Sequence, residues 1–163
     1  MIKHKFRNTD RDWIFIFDVD GVLTDGKFTY TKEGKFSKTF GSHDADALNF
    51  LSEYSQISFI SADAKGFEVT SKRINDMGFD LNLVDSISRG EFLKKLQHNS
   101  RVVFTADSFT DSLGLKIADV SFAPKNAHPL AKKNATMILN SKGGSGAVAE
   151  VCLLYLGAIG RKF

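Results

Sequence analysis

Cysteine occurs once, at Cys152, and proline only twice, at Pro124 and Pro129. One thiol excludes an internal disulfide, and its apolar neighbourhood reads as a small buried core residue. The absence of a disulfide framework fits a reducing compartment. No apolar run reaches the length of a membrane span, and Met1 to Asp12 is polar and charged, without the apolar core of a signal peptide. The expected setting is therefore the cytoplasm, with no membrane part. An excess of one charge sign is missing too: 22 Lys plus Arg stand against 19 Asp plus Glu, for a net +3. Without a dense basic stripe, nucleic acid is not an expected partner. The four histidines, His4, His43, His98 and His128, show no metal-ligand spacing, and none is assigned a catalytic role. Repeats, low-complexity tracts and linkers are absent, so the 163 residues read as a single domain spanning 1–163.

What is present is an alternation of apolar runs and helical patterns. Trp13-Ile14-Phe15-Ile16-Phe17 ends at Asp18, Ile57-Ser58-Phe59-Ile60 ends at Ser61, and Arg101-Val102-Val103-Phe104-Thr105 ends near Asp107. Continuous apolar runs of this length fit strands buried on both faces. Shorter strands are expected at Leu81–Val84, Asp119–Phe122 and Thr136–Leu139. Between them lie helical patterns over Asp44–Tyr54, Gly66–Met77 (with Val69, Arg73, Ile74 and Met77 on one side), Arg89–Leu96 and Ala147–Leu156. The alternation predicts an α/β fold, a Rossmann-like, mainly parallel sheet with helices on both faces and no separate cap domain. Lys27 to Phe40 breaks the alternation and reads as a β-hairpin projecting from the domain. The segment holding Pro124 and Pro129 reads as loop.

In open α/β sheets ligands bind beyond the carboxyl ends of the strands. The polar residues expected there are Asp18, Asp20, Ser61, Asp107 and Asp111. Converging carboxylates repel one another unless a cation lies among them, and oxygen ligands without Cys or His select magnesium. Within Asp18-Val19-Asp20-Gly21 a strand-end carboxylate is suited to attack phosphorus. A second acid two residues on is suited to protonate the leaving oxygen and then activate water. Gly21 permits the sharp turn between them. The plainer reading of Asp-x-Asp-Gly is a surface turn, but turn aspartates seldom follow five buried apolar residues.

Phe17-Asp18-Val19-Asp20-Gly21-Val22-Leu23-Thr24-Asp25-Gly26 resembles the first motif of haloacid dehalogenase superfamily phosphatases. Its Thr-Asp-Gly extension resembles the cap-less 3-deoxy-D-manno-octulosonate 8-phosphate phosphatase branch and the phosphatase-like tail domains of acylneuraminate cytidylyltransferases. Ala123 to Lys133 resembles that branch's late loop, and Gly143-Gly144-Ser145-Gly146-Ala147-Val148 its closing segment. The resemblance implies a Mg2+-dependent phosphatase acting on a small acidic sugar phosphate, of octulosonate or nonulosonate type, in surface-polysaccharide synthesis. It implies Asp18 as nucleophile and metal ligand, Asp20 as general acid/base with its carbonyl toward the metal, and Asp107 as a metal ligand. Ser61 and Ala62 take the phosphate-binding second motif. The resemblance also implies a homotetramer built through the hairpin, with neighbouring subunits shaping the pocket.

The chain departs from the family pattern in three places. After Ser61 the family has Gly and a basic residue, whereas here Ala62 and Asp63 follow; Lys65 is the expected replacement for the missing charge. The third-motif Lys position is taken by Arg89, whose planar fork differs from a lysine's point charge; the alternative for Arg89 is a helix-start surface charge. In Asp107-Ser108-Phe109-Thr110-Asp111, Ser108 replaces a carboxylate of the fourth motif. Asp111 is then either part of the ligand shell or a helix N-terminal acid. Asp44 reads as the N-cap of its own helix, Gly143 to Gly146 as a turn rather than an anion cradle, and Arg161 and Lys162 as cations able to reach a neighbour's pocket. The damaged motifs leave a second reading, an inactive phosphatase-like domain kept for oligomerisation or for docking a sugar-nucleotide enzyme. A phosphoacceptor receiver is a third, disfavoured by the Asp-x-Asp pair and the hairpin.

Overall fold

Strand β1, Trp13–Asp18, is buried at every residue because it is paired on both sides. The computed structural model describes residues 2–6 and 11–161; the remaining residues of the N-terminal stretch, and Lys162, lie outside that range. β1 lies parallel to β4 (Gln56–Ser61) through Phe17↔Phe59, and to β6 (Arg101–Thr105) through Phe17↔Thr105. With β5 (Asp80–Leu83), β7 (Val120–Ala123) and β8 (Met137–Ile138) the sheet has six strands in the order β5-β4-β1-β6-β7-β8, and every described pairing within it is parallel.

Alternation along β1 sends Phe15 and Phe17 to one face and Ile16 to the other. The first face is covered by α1 (His43–Ser52), α2 (Phe67–Asp76) and α6 (Ala147–Ala158), through Leu48, Leu51, Ile74 and Val151. The second is covered by α3 (Arg89–Gln97), α4 (Ser112–Ile117) and α5 (Pro129–Asn134), through Leu93, Leu115 and Ala131. The expected α/β sandwich is present, and no helix among the described residues is long and apolar enough to cross a membrane.

Three local expectations are corrected. The segment around Pro129 is not all loop: Pro129 opens α5, with Leu130 N–H donating to His128 Nδ1 at 3.2 Å, because proline suits a first helical turn. In α2 the buried positions are Thr70 and Ile74, while Val69 is exposed. Asp44 does not cap its own helix. It is buried, and Oδ1 accepts from Ala149 N–H at 2.8 Å, so it caps α6 instead.

The hairpin, β2 (Thr29–Thr31) and β3 (Gly34–Ser37), forms its own antiparallel sheet. It exposes Tyr30 at 62% and Phe36 at 69%. Its base returns to the domain through a bridge between Thr24 and Phe40 and through Lys35 and Lys38.

Candidate active site

The carboxyl ends of β1, β4 and β6 deliver Asp18, Ser61 and the Asp107 loop to one place. Asp18 ends β1, and the chain then turns through Val19–Leu23, with Gly21 at φ +90°. A side chain at Gly21 is excluded twice over, by that backbone angle and by Asp107, whose Oδ2 would lie 2.0 Å from a β-carbon. Thr24 closes the turn: its Oγ1 accepts from Gly21 N–H at 3.3 Å and from Gly26 N–H at 3.2 Å. Beneath it pack Gly143 and Gly144, the latter donating its N–H to the Val22 carbonyl at 3.0 Å. The glycine-rich closing segment is thus a close-packed turn supporting the site's loop.

Asp18, Asp107 and Asp111 each offer a carboxylate oxygen, and these lie within 4.8 Å of one another. Arg89 enters the same cluster. Its Nη2 donates to Asp18 Oδ1 at 3.0 Å and its Nη1 to Asp111 Oδ1. Asp18 Oδ1 also accepts from Val19 N–H at 2.9 Å. With all three ionised, the carboxylates would outnumber the one guanidinium by two charges. The titration behaviour reflects that excess. Burial, with Asp111 and Asp107 adding to it, pushes Asp18 up to about 8 even though Arg89 pulls the other way. Burial, then Asp111 and Asp20, pushes Asp107 up to about 6. Burial works against the charge on Arg89, but Asp18 and Asp111 more than reverse it and hold the guanidinium protonated. A hard divalent cation would supply the two missing charges.

Asp111 is the N-terminal acid of its turn, and both of its oxygens are engaged. One oxygen faces Arg89, and Oδ2 accepts from Ser108 N–H at 3.1 Å in a capping box, while Ser108 Oγ accepts from Thr110 N–H at 3.3 Å. Ser108 therefore serves as the cap that aims Asp111.

Asp20 is engaged by a separate set of groups. Lys38 Nζ lies 2.8 Å from its Oδ1 and 3.0 Å from its Oδ2, and Ser61 Oγ donates to Oδ2 at 3.4 Å. Lys38 also reaches Thr70 Oγ1 at 2.7 Å and Asp63 Oδ2 at 2.9 Å. Asp63 is paired a second time, by Lys35 at 2.6 Å. These contacts, with burial opposing them, hold Asp63 below the usual carboxylate range. Asp18, Asp20, Ala62, Asp63, Arg89, Asp107 and Ser108 border one open cavity of about 240 Å³, together with Lys35. Lys65 is exposed and does not line it. The lysines beside Asp63 come from the hairpin, and sequence reasoning missed both; the unexplained acid at position 63 was the one signal pointing to them. Arg161 lies at the other end of the sheet, its guanidinium over the Tyr54 ring at 4.8 Å.

No family model matches the chain. The chain is 29% identical over 153 residues to the 3-deoxy-D-manno-octulosonate 8-phosphate phosphatase KdsC of Haemophilus influenzae, covering 90% of this chain and 83% of that one. Among solved structures it resembles a hypothetical protein of Xanthomonas campestris, at 31% identity and a TM-score of 0.85 over 98% of this chain and 88% of the other. It also resembles the cobalt-bound deoxy-D-mannose-octulosonate 8-phosphate phosphatase of Haemophilus influenzae, at 27% identity and a TM-score of 0.82 over 96% and 92%.

Proposed function

The chain belongs to the haloacid dehalogenase superfamily, in the branch of the 3-deoxy-D-manno-octulosonate 8-phosphate phosphatases, and from that premise we propose that it is a divalent-metal-dependent phosphatase of a small acidic sugar phosphate. The observation that carries the reading is the convergence of the Asp18, Asp107 and Asp111 carboxylates at the strand ends, with one guanidinium among them. Asp18 and Asp107, with the Asp20 carbonyl and Asp111 beside them, would hold Mg2+, which would neutralise the carboxylates' charge and that of the substrate phosphate.

The chain's own groups divide the chemistry. Asp18, anchored through Oδ1, attacks phosphorus in line as the ester P–O bond breaks. Asp20, held by Lys38 and Ser61, gives its proton to the departing alkoxide. It then takes a proton from water, whose oxygen attacks the aspartyl phosphate, releasing inorganic phosphate and restoring Asp18. Ser61 and the Ala62 backbone meet the phosphoryl oxygens, and Arg89 offsets charge beside Asp18. A cytoplasmic homotetramer belongs to the same proposal.

The exposed aromatic residues Tyr30 and Phe36 on the hairpin favour a second reading, in which the domain serves oligomerisation or docking to a sugar-nucleotide enzyme. A phosphate-release screen over acidic and neutral sugar phosphates, with and without Mg2+, separates the two. Metal-dependent release that disappears in Asp18→Asn is expected; silence across the panel from a folded oligomer would leave the docking reading.

A further inference from the structure

Three cations stand at the cavity or directly behind it, and two of them are committed. Arg89 is buried and spends its fork on Asp18 and Asp111. The Lys38 side chain is 0% exposed, and its ammonium is engaged by Asp20, Asp63 and Thr70; three acceptors match the three N–H groups of an ammonium. Lys35 differs. It lines the cavity, its side chain is 9% exposed, and among the described residues its one ion pair is with Asp63.

The surroundings of Lys35 are built to hold it there. Asp63 Oδ1 accepts from Gly66 N–H at 3.0 Å, and Asp63 N–H donates to Ser61 Oγ at 3.1 Å, so the acid is fixed from its own loop. The Phe28 ring lies 3.5 Å from the Lys35 ammonium. Gly66 leaves the space the pair occupies: a β-carbon there would come 2.2 Å from Asp63 Oδ2 and 2.9 Å from Lys35 Cδ. An ammonium with one carboxylate partner and an aromatic face behind it retains donors for a further acceptor.

We propose that Lys35 is a specificity-determining residue of this site, binding the substrate's carboxylate while Asp63 positions it. The proposal rests on the phosphatase reading above and adds the group that selects an acid over a neutral ester. It also accounts for the acid after Ala62: Asp63 carries no charge to the substrate itself but fixes the lysine that does.

The test compares the parent, Lys35→Gln and Lys35→Arg with Mg2+ on two esters, 3-deoxy-D-manno-octulosonate 8-phosphate and p-nitrophenyl phosphate. In Lys35→Gln the ratio of kcat/KM for the acidic ester to that for the aryl ester should fall about tenfold, mainly through KM, while Lys35→Arg keeps at least half the ratio. Lys38 still pairs with Asp63 in both variants, which protects the fold. A ratio unchanged in Lys35→Gln overturns the proposal. A second arm is independent of turnover: calorimetric binding of 3-deoxy-D-manno-octulosonate to Asp18→Asn, with and without Lys35→Gln. Weaker binding in the double variant supports the role of Lys35 even if the parent hydrolyses neither ester, an outcome that would remove the phosphatase reading alone. Equal binding overturns it.

Discussion

Gly143 lies so close beneath Gly21 that a β-carbon on it would sit 1.9 Å from the Gly21 carbonyl oxygen. The last loop of the chain therefore sets the position of the first, and through Gly21 the space left for Asp107. Gly143→Ala must push the two apart. It is expected to lose roughly 1–3 kcal/mol in urea unfolding, the usual cost of forcing atoms into a packed site, and to lower phosphatase activity as well. Gly157→Ala meets nothing within 4 Å and serves as the control, with no loss of either.

Binding of a cation to the carboxylate trio should appear in stability without any substrate. Mg2+ at one hundred times its dissociation constant adds about 2.7 kcal/mol, or a rise in Tm of roughly 5–10 °C for a domain of this size. Asp107→Asn removes one carboxylate of the trio and should abolish most of that rise. Differential scanning calorimetry with and without Mg2+ checks both, and an equal rise in the variant would place the metal elsewhere.

The parts of this arrangement that were legible in the sequence are those encoded locally. Five apolar residues before Asp18 mark a buried strand, and a buried strand's end is where a carboxylate can act. The lysines were not legible because Lys35 meets Asp63 across 28 residues and Lys38 meets Thr70 across 32. Only the return of the hairpin base to the sheet brings them together. Asp44 was misread for a related reason. Its position at a helix start suggests a local cap, but its acceptor serves Ala149, 105 residues away. Helices α4 and α5 have six residues each, too few for an apolar period to stand out.

Two acids near the start of α6 should respond to pH in opposite senses. Glu150 accepts from Asn140 and Ser141 N–H groups at 3.0 and 2.8 Å, and these bonds outweigh partial burial to hold it below its usual 4.5. Its contribution is present above 4.5 and is lost as pH falls through the lowered folded value. Asp44 is raised above 3.8 by burial, against its bonds to Ala149 and neighbouring N–H groups. Its titration favours the fold most below 3.8, and that share is lost as pH rises through the raised folded value. Urea unfolding from pH 3 to 7 should give Glu150→Gln its largest deficit at neutral pH, shrinking toward pH 3. Asp44→Asn should compare best with the parent at neutral pH, and the reverse trend in either variant would refute the assignment.

Arg89 distinguishes charge from geometry. Its two Nη atoms serve Asp18 and Asp111 separately, and a lysine ammonium on a flexible stem cannot reproduce that fork. Arg89→Lys keeps a cation near Asp18 but gives up one charge-assisted hydrogen bond, worth about 1.5–3 kcal/mol, so metal-free protein should unfold at lower urea. Turnover with Mg2+ should stay within several-fold of the parent, because the proposed reaction needs charge beside Asp18. Arg89→Met removes the charge itself and should cost about 100-fold or more in kcat. If Arg89→Lys instead loses activity as fully as Arg89→Met, then the fork, by holding Asp111 and Asp18 at a fixed separation, is the requirement, and the positive charge is secondary.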